Sequence, residues 1–170
     1  MDNQQWIKAL VEQYEKPLCR YAYSLTGSIS SAQDAVQETF LRLCKGDRDR
    51  IEGHEAAWLF QVCRSRAFDM KRKDKPVQAL TPLEESNIKA TGPTPAEAAM
   101  HADHEQIMPR LMSQLPDRQR EAIRLKFQQS LSYREIAHVM KISESNVGFL
   151  IHMGVKALRE QMKNFQGVVS

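Results

Sequence analysis

Residues 115–159, LPDRQREAIRLKFQQSLSYREIAHVMKISESNVGFLIHMGVKALR, place apolar side chains at intervals of three and four on both sides of a short polar break. Such spacing builds two helices packed across a tight turn, and it excludes the period-two alternation of a strand. Before the break, Leu131, Ile136, Ala137, Val139 and Met140 are apolar, and the small Ala137 stands where a second helix must approach closely. The chain turns through Lys141 and Ile142, and Ser143 is a good N-cap for the second helix. Beyond it Val147, Leu150, Ile151, Gly154 and Leu158 share one face, while Glu144, Ser145, Asn146, Gly148 and His152 point away. In a helix-turn-helix those outward first-turn residues reach base edges in the major groove, which makes duplex DNA the expected partner. The plainer use of the same pattern is two packed helices of any all-α domain.

The rest of the 170-residue chain is consistent with a small binding protein of one or two compact domains. Lys and Arg outnumber Asp and Glu by 24 to 21, a net charge of +3 that permits nucleic-acid binding without arguing for it. The first 20 residues carry charges throughout, which speaks against a secretory signal, and no window has the roughly 18 uninterrupted apolar residues of a membrane span. Cys19, Cys44 and Cys63 are widely spaced and lie among helix-forming residues. Free, buried thiols in a reducing cytoplasm are therefore expected, rather than a disulfide or a zinc site.

Two helical blocks flank a break in texture. Residues 4–75 show no strand-like alternation and are punctuated at Thr26-Gly27-Ser28 and at Lys45-Gly46-Asp47, which predicts three helices. Residues 75–95, KPVQALTPLEESNIKATGPTP, hold four prolines and few large apolar residues, the composition of a flexible, solvated linker. Helical pattern resumes at Ala96 and continues through Gln114, with Pro109 expected to kink or split it. Asp117 falls near the positive N-terminus of the next helix. The expected architecture is all-α, with domains at 1–75 and 96–170 joined by a linker at 76–95.

In the first block, SSAQDAVQETFLRL at 30–43 opens on capping residues and carries an apolar stripe at Ala32, Val36, Phe40 and Leu43. Asp34, Gln37, Glu38 and Leu41 lie off that stripe, forming a mixed acidic and apolar face. The third helix, from AWLFQVCRSRAFDMKRK at 57–73, is expected to bury Leu59, Val62, Cys63, Ala67 and Met70. Arg64, Arg66, Lys71, Arg72 and Lys73 then stand beside Trp58, Phe60 and Phe68. Cations interleaved with aromatics suit single-stranded nucleic acid, and they equally suit core rings beside a solvated basic helix end.

Taken in order, these motifs resemble the extracytoplasmic-function group of bacterial sigma factors, subunits of RNA polymerase with helical regions 2 and 4 joined by a variable linker. SAQDAVQETFLRL resembles the region 2 motif that grips the polymerase clamp, AWLFQVCRSRAFDMKRK the promoter-melting helix, and residues 115–151 region 4. The resemblance implies a three-helix region 2 bundle and a region 4 helix-turn-helix. It implies binding to core RNA polymerase, recognition of the −35 and −10 promoter elements, and promoter melting for transcription initiation. Asp34, Gln37, Glu38 and Leu41 would dock on the polymerase. Arg64, Ser65, Asp69 and Arg72 would face the −10 element, and the 46–53 loop would hold an extruded base, offsetting a few kcal/mol of unstacking. Arg118, Arg120 and Arg134 would contact phosphates, while Ser143, Ser145, Asn146 and His152 would read the −35 element. The linker would run toward the RNA exit path. Core polymerase and promoter DNA are the implied partners, with room for an anti-sigma factor, and neither a cofactor nor membrane insertion is implied.

Four positions depart from the family pattern. Ser65 replaces a usual asparagine. Lys141 stands where such turns commonly have glycine, so a left-handed backbone there costs about 1 kcal/mol. Leu150 and Met153 occupy recognition-helix positions that are often basic. A stand-alone repressor or activator would use the C-terminal half but leave the region 2 motifs without a purpose. An enzyme is not expected: His54-Glu55-Ala56-Ala57-Trp58 lacks the second histidine of a zincin helix, and His101, Asp103 and His104 suit a solvated helix face better than a metal.

Overall fold

The computed structural model describes residues 1–73 and 107–169, with side chains through Phe165. Among the described residues there is no strand, and no helix is long and apolar enough to cross a membrane. The chain divides into two compact units, one of the N-terminal helices, with which His138–Lys141 are grouped, and one of the remaining C-terminal helices. The proline-rich segment at 76–95 and the His101, Asp103 and His104 group lie outside the described residues.

The N-terminal unit is built on three long helices. Helix α1, Asn3–Thr26, starts with a capping box. Asp2 accepts from the Gln5 main-chain N–H at 2.8 Å, and the Gln5 side chain accepts from the Asp2 N–H at 3.3 Å. It ends at Gly27, whose φ of 71° is the left-handed stop that glycine adopts freely. Helix α2, Ile29–Lys45, comes directly after, with the Ser28 hydroxyl accepting from the Ser31 N–H at 3.2 Å. A single helical turn, α3, Arg48–Ile51, interrupts the loop before α4, Glu55–Lys73. This turn is an addition to the three expected helices. Asp47 caps it, and the buried Ile51 pins it to the core.

The core of this unit differs from the expected stripes in detail. On α2, Ala35 and Thr39 are buried beside Ala32, Val36 and Leu43, while Phe40 is half-exposed. A buried hydroxyl needs a partner, and Thr39 donates to the Ala35 carbonyl at 2.7 Å. On α4, Leu59, Cys63 and Ala67 are buried as expected, but Phe60 and Ala57 join them, and Val62 and Met70 are only half-buried. Phe60 packs edge-on to Tyr14 and Tyr21, with ring centroids at 6.4 and 5.3 Å. That position removes Phe60 from any role in base stacking.

The C-terminal unit begins with α5, Ile107–Ser113. Pro109 lies in the first described turn of this helix. Helix α6, Asp117–Ile123, runs directly into a π-helical turn, Arg124–Gln128. Ser130, at φ 57°, closes that segment. Helix α7, Tyr133–Met140, opens on a second capping box. Ser132 accepts from the Glu135 N–H at 3.1 Å, and Glu135 accepts from the Ser132 N–H at 3.0 Å. Helix α8, Glu144–Val169, is the longest of the described helices.

Leu111, Met112, Leu115, Ile123 and Leu158 form one buried cluster here, drawing α5, α6 and α8 together. Gly154 permits this approach, because a Cβ there would collide with the Ile123 Cδ1. Its smallness thus sets how closely α8 approaches α6.

Candidate nucleic-acid and protein interfaces

The helix-turn-helix geometry comes from three local devices. Met140 ends α7, and Lys141 takes the left-handed conformation at φ 58°. The Ile142 N–H then bonds back to the Ala137 carbonyl at 3.1 Å, closing the turn. Ser143 caps α8 by accepting from the Asn146 N–H at 3.1 Å. Val139, Met140, Val147 and Ile151 are buried behind the turn, leaving Ser143, Ser145, Asn146 and His152 exposed. Leu150, expected to pack inward, is half-exposed.

Of the arginines assigned to phosphates, Arg118 and Arg134 are exposed and Arg120 is not. Arg120 is 8% exposed, its guanidinium paired with Asp117 and donating to the Ser113 carbonyl at 3.4 Å. Its place at i+3 from a helix-start carboxylate makes it an internal tie. Arg124, next on the same side, has its pKa lowered by burial and by the neighbouring Arg120 charge.

In the N-terminal unit, Asp34, Gln37 and Leu41 stand exposed along one side of α2, and Leu41 is half in solvent. Glu38 pairs with Arg42 one turn on at 3.3 Å. Beside them a shallow groove between α1 and α2 is lined by Glu15, Cys19, Phe40, Leu41 and Cys44. Sequence reading missed the α1 contribution to this surface. Its one signal was Phe40, a large apolar residue at the margin of the α2 stripe.

On α4, Ser65, Asp69 and Arg72 are exposed and share a face by their spacing of four and three. Arg64 is half-buried, its guanidinium 4.5 Å from the Phe68 ring centroid. Trp58 and Phe68 remain half-exposed. The 46–53 loop is held in place: Arg48 lies 5.2 Å over the Trp6 ring, pairs with Glu52 at 3.0 Å, and donates to the Met1 carbonyl at 3.1 Å.

The three cysteines are free. Cys63 is buried as expected, but Cys19 is half-buried and Cys44 exposed, because each lies toward the groove side of its helix. Burial pushes the Cys63 thiol up to about 12, opposed by a hydrogen bond with Thr39. Among the described residues no group of three or more His, Cys, Asp or Glu could hold a metal.

Comparison with known proteins gives these surfaces a common origin. The family model for Sigma-70 region 2 matches residues 10–76, and that for Sigma-70 region 4 matches residues 105–158. The chain is 31% identical over 156 residues to the ECF RNA polymerase sigma factor SigM of Bacillus subtilis, covering 89% of this chain and 94% of that protein. It is 32% identical over 157 residues to the sigma factor SigL of Mycobacterium tuberculosis, covering 90% and 86%. The fold is similar to that of CnrH, solved with the cytosolic domain of CnrY, at a TM-score of 0.62 and 22% identity over 95% of this chain and 90% of that one. It is equally similar, at 0.62 and 21% identity, to the sigma factor RpoE of Bartonella quintana, solved with the anti-sigma factor NepR, over 92% and 96%. The chain belongs to the extracytoplasmic-function group of sigma-70 factors, proteins that direct core RNA polymerase to promoters for transcription initiation.

Proposed function

We propose that this sigma factor divides its work between its two units, taken as residues 1–75 and 96–170 with a linker at 76–95. The N-terminal unit docks on core polymerase through Asp34, Gln37, Glu38 and Leu41. Carboxylates beside an exposed leucine suit a basic partner surface with an apolar centre. Ser65, Asp69 and Arg72, flanked by Arg64 on Phe68, face the −10 element, and the braced 46–53 loop receives an unstacked base. Capture of a base offsets part of the cost of opening the duplex, so melting needs no ATP. The C-terminal unit sets register through Arg118 and Arg134 and reads the −35 element with Ser143, Ser145, Asn146 and His152.

The observation that carries this reading is the turn at Lys141 and Ser143. It leaves the first turn of α8, Glu144 to Asn146, exposed and polar while Val147 and Ile151 behind it are buried. The protein works by binding, with no reaction of its own, and acts in the cytoplasm with the polymerase. An anti-sigma factor is a further partner in this reading, supported by the solution of a protein of this fold with one.

A gel shift with and without core polymerase tests the assignment against a stand-alone repressor. Retardation of promoter fragments should require core enzyme. Tight, specific binding by the free chain would identify a repressor instead.

A further inference from the structure

The outward face of α8 carries two apolar side chains for which the packing has no use. Phe149 is 59% exposed and Met153 is 37% exposed. They lie four residues apart and so stand one above the other on the helix surface, about 6 Å apart along its axis. Ser145, Asn146 and His152 surround them and are exposed. From Ser143 through Val155 the sequence has no lysine or arginine. Over these turns the face therefore offers no lysine or arginine for a guanine edge, Lys156 standing at its far end, and its two largest groups form no strong hydrogen bond.

A major groove presents one apolar feature that such groups can recognise, the C5-methyl of thymine. Resting on the reading of α8 as the −35 recognition helix, we infer that Phe149 and Met153 are specificity residues that seat thymine methyls of the −35 element. Their axial separation of about 6 Å spans close to two base-pair steps of about 3.4 Å. The two methyls accordingly lie on base pairs no more than two steps apart. The polar ring of Ser145, Asn146 and His152 supplies hydrogen bonds to the base edges on either side. A surface of this kind gains affinity from removal of methyl and phenyl surface from water, and hence depends on salt less than an arginine-bearing helix would.

The test uses holoenzyme assembled from the full chain and core polymerase. A duplex library randomised across the −35 region first yields the preferred sequence. Each of its thymines is then replaced singly by uracil, which removes only the methyl group. Expected are one or two thymines, within two steps of each other, at which uracil weakens binding about three- to fivefold, the worth of one buried methyl. Phe149→Ala or Met153→Ala should abolish the thymine-over-uracil preference at its own position and leave the other intact. Equal loss on thymine and uracil duplexes would overturn the inference while leaving the −35 role of α8 standing. Unchanged promoter binding by Phe149→Ala would assign the pair to a protein partner and likewise overturn it. If the library returns no −35 preference although the holoenzyme still initiates, the recognition role of α8 falls as well.

Discussion

Arg120 pairs with Asp117 three residues earlier, and this contact turns the most buried of the described arginines in the C-terminal unit inward as a tie across the start of α6. Arg118, two positions before it, is exposed. The two arginines should therefore separate cleanly. Arg118→Ala should lower promoter affinity and reduce the salt slope by about 1 without changing the melting temperature. Arg120→Ala should cost about 1–2 kcal/mol of stability through the broken tie. Thermal denaturation and salt-dependent binding of both variants check this, and a stable Arg120→Ala protein with a reduced salt slope would return that side chain to the DNA.

Lys141 holds φ at 58°, where a Cβ is strained. Lys141→Gly should be more stable than Lys141→Ala by about 1 kcal/mol, since both lose the ammonium and only one loses the strain. Chemical denaturation of the pair gives the difference, and equal stabilities would show that the turn is relaxed.

Asp34 is exposed, and Glu38 is held only by a surface pair with Arg42, a type of pair worth at most about 1 kcal/mol. Reversing both to lysine should abolish binding to core polymerase while changing stability by about 0.5 kcal/mol or less per site. Affinity for core enzyme, measured beside the melting curve, decides the matter. Undiminished affinity would move the docking face elsewhere.

Cys44 is exposed and Cys63 buried. At mild alkaline pH an alkylating reagent should modify Cys44 rapidly and reach Cys63 only when the chain unfolds. Because folding raises the Cys63 pKa from 9.0 to about 12, the unfolded chain releases that proton first as pH rises. Stability should consequently fall through that window. Cys63→Ala should show a shallower decline over the same range, measured by denaturant unfolding at stepped pH, and an identical decline would assign the loss to other groups.

How far the sequence discloses this molecule differs from feature to feature. The helix-turn-helix was legible down to the Ser143 cap and the strained Lys141, because capping and left-handed turns depend on a few adjacent residues. The second capping box, Ser132 with Glu135, is equally local and escaped the sequence reading. Burial of Phe60 and exposure of Cys44 were not legible, since both depend on which neighbouring helix covers a border position. Arg120 shows the same limit: the family resemblance marks it as a phosphate ligand, and only the fold turns it inward. The one-turn helix α3 escaped detection because four residues carry no periodicity, although Asp47 announces its cap.

If this chain enables core RNA polymerase to open promoter DNA, unpaired thymines near the −10 element must become reactive to permanganate. The decisive experiment incubates genomic promoter fragments with core enzyme in the presence and absence of the protein. Reactive thymines at a fixed distance downstream of a protected −35 element should appear only when both are present, without ATP. Reactivity that is the same with core enzyme alone, or protection by the free chain with no thymine exposed, would show that the protein does not melt promoters as a sigma factor.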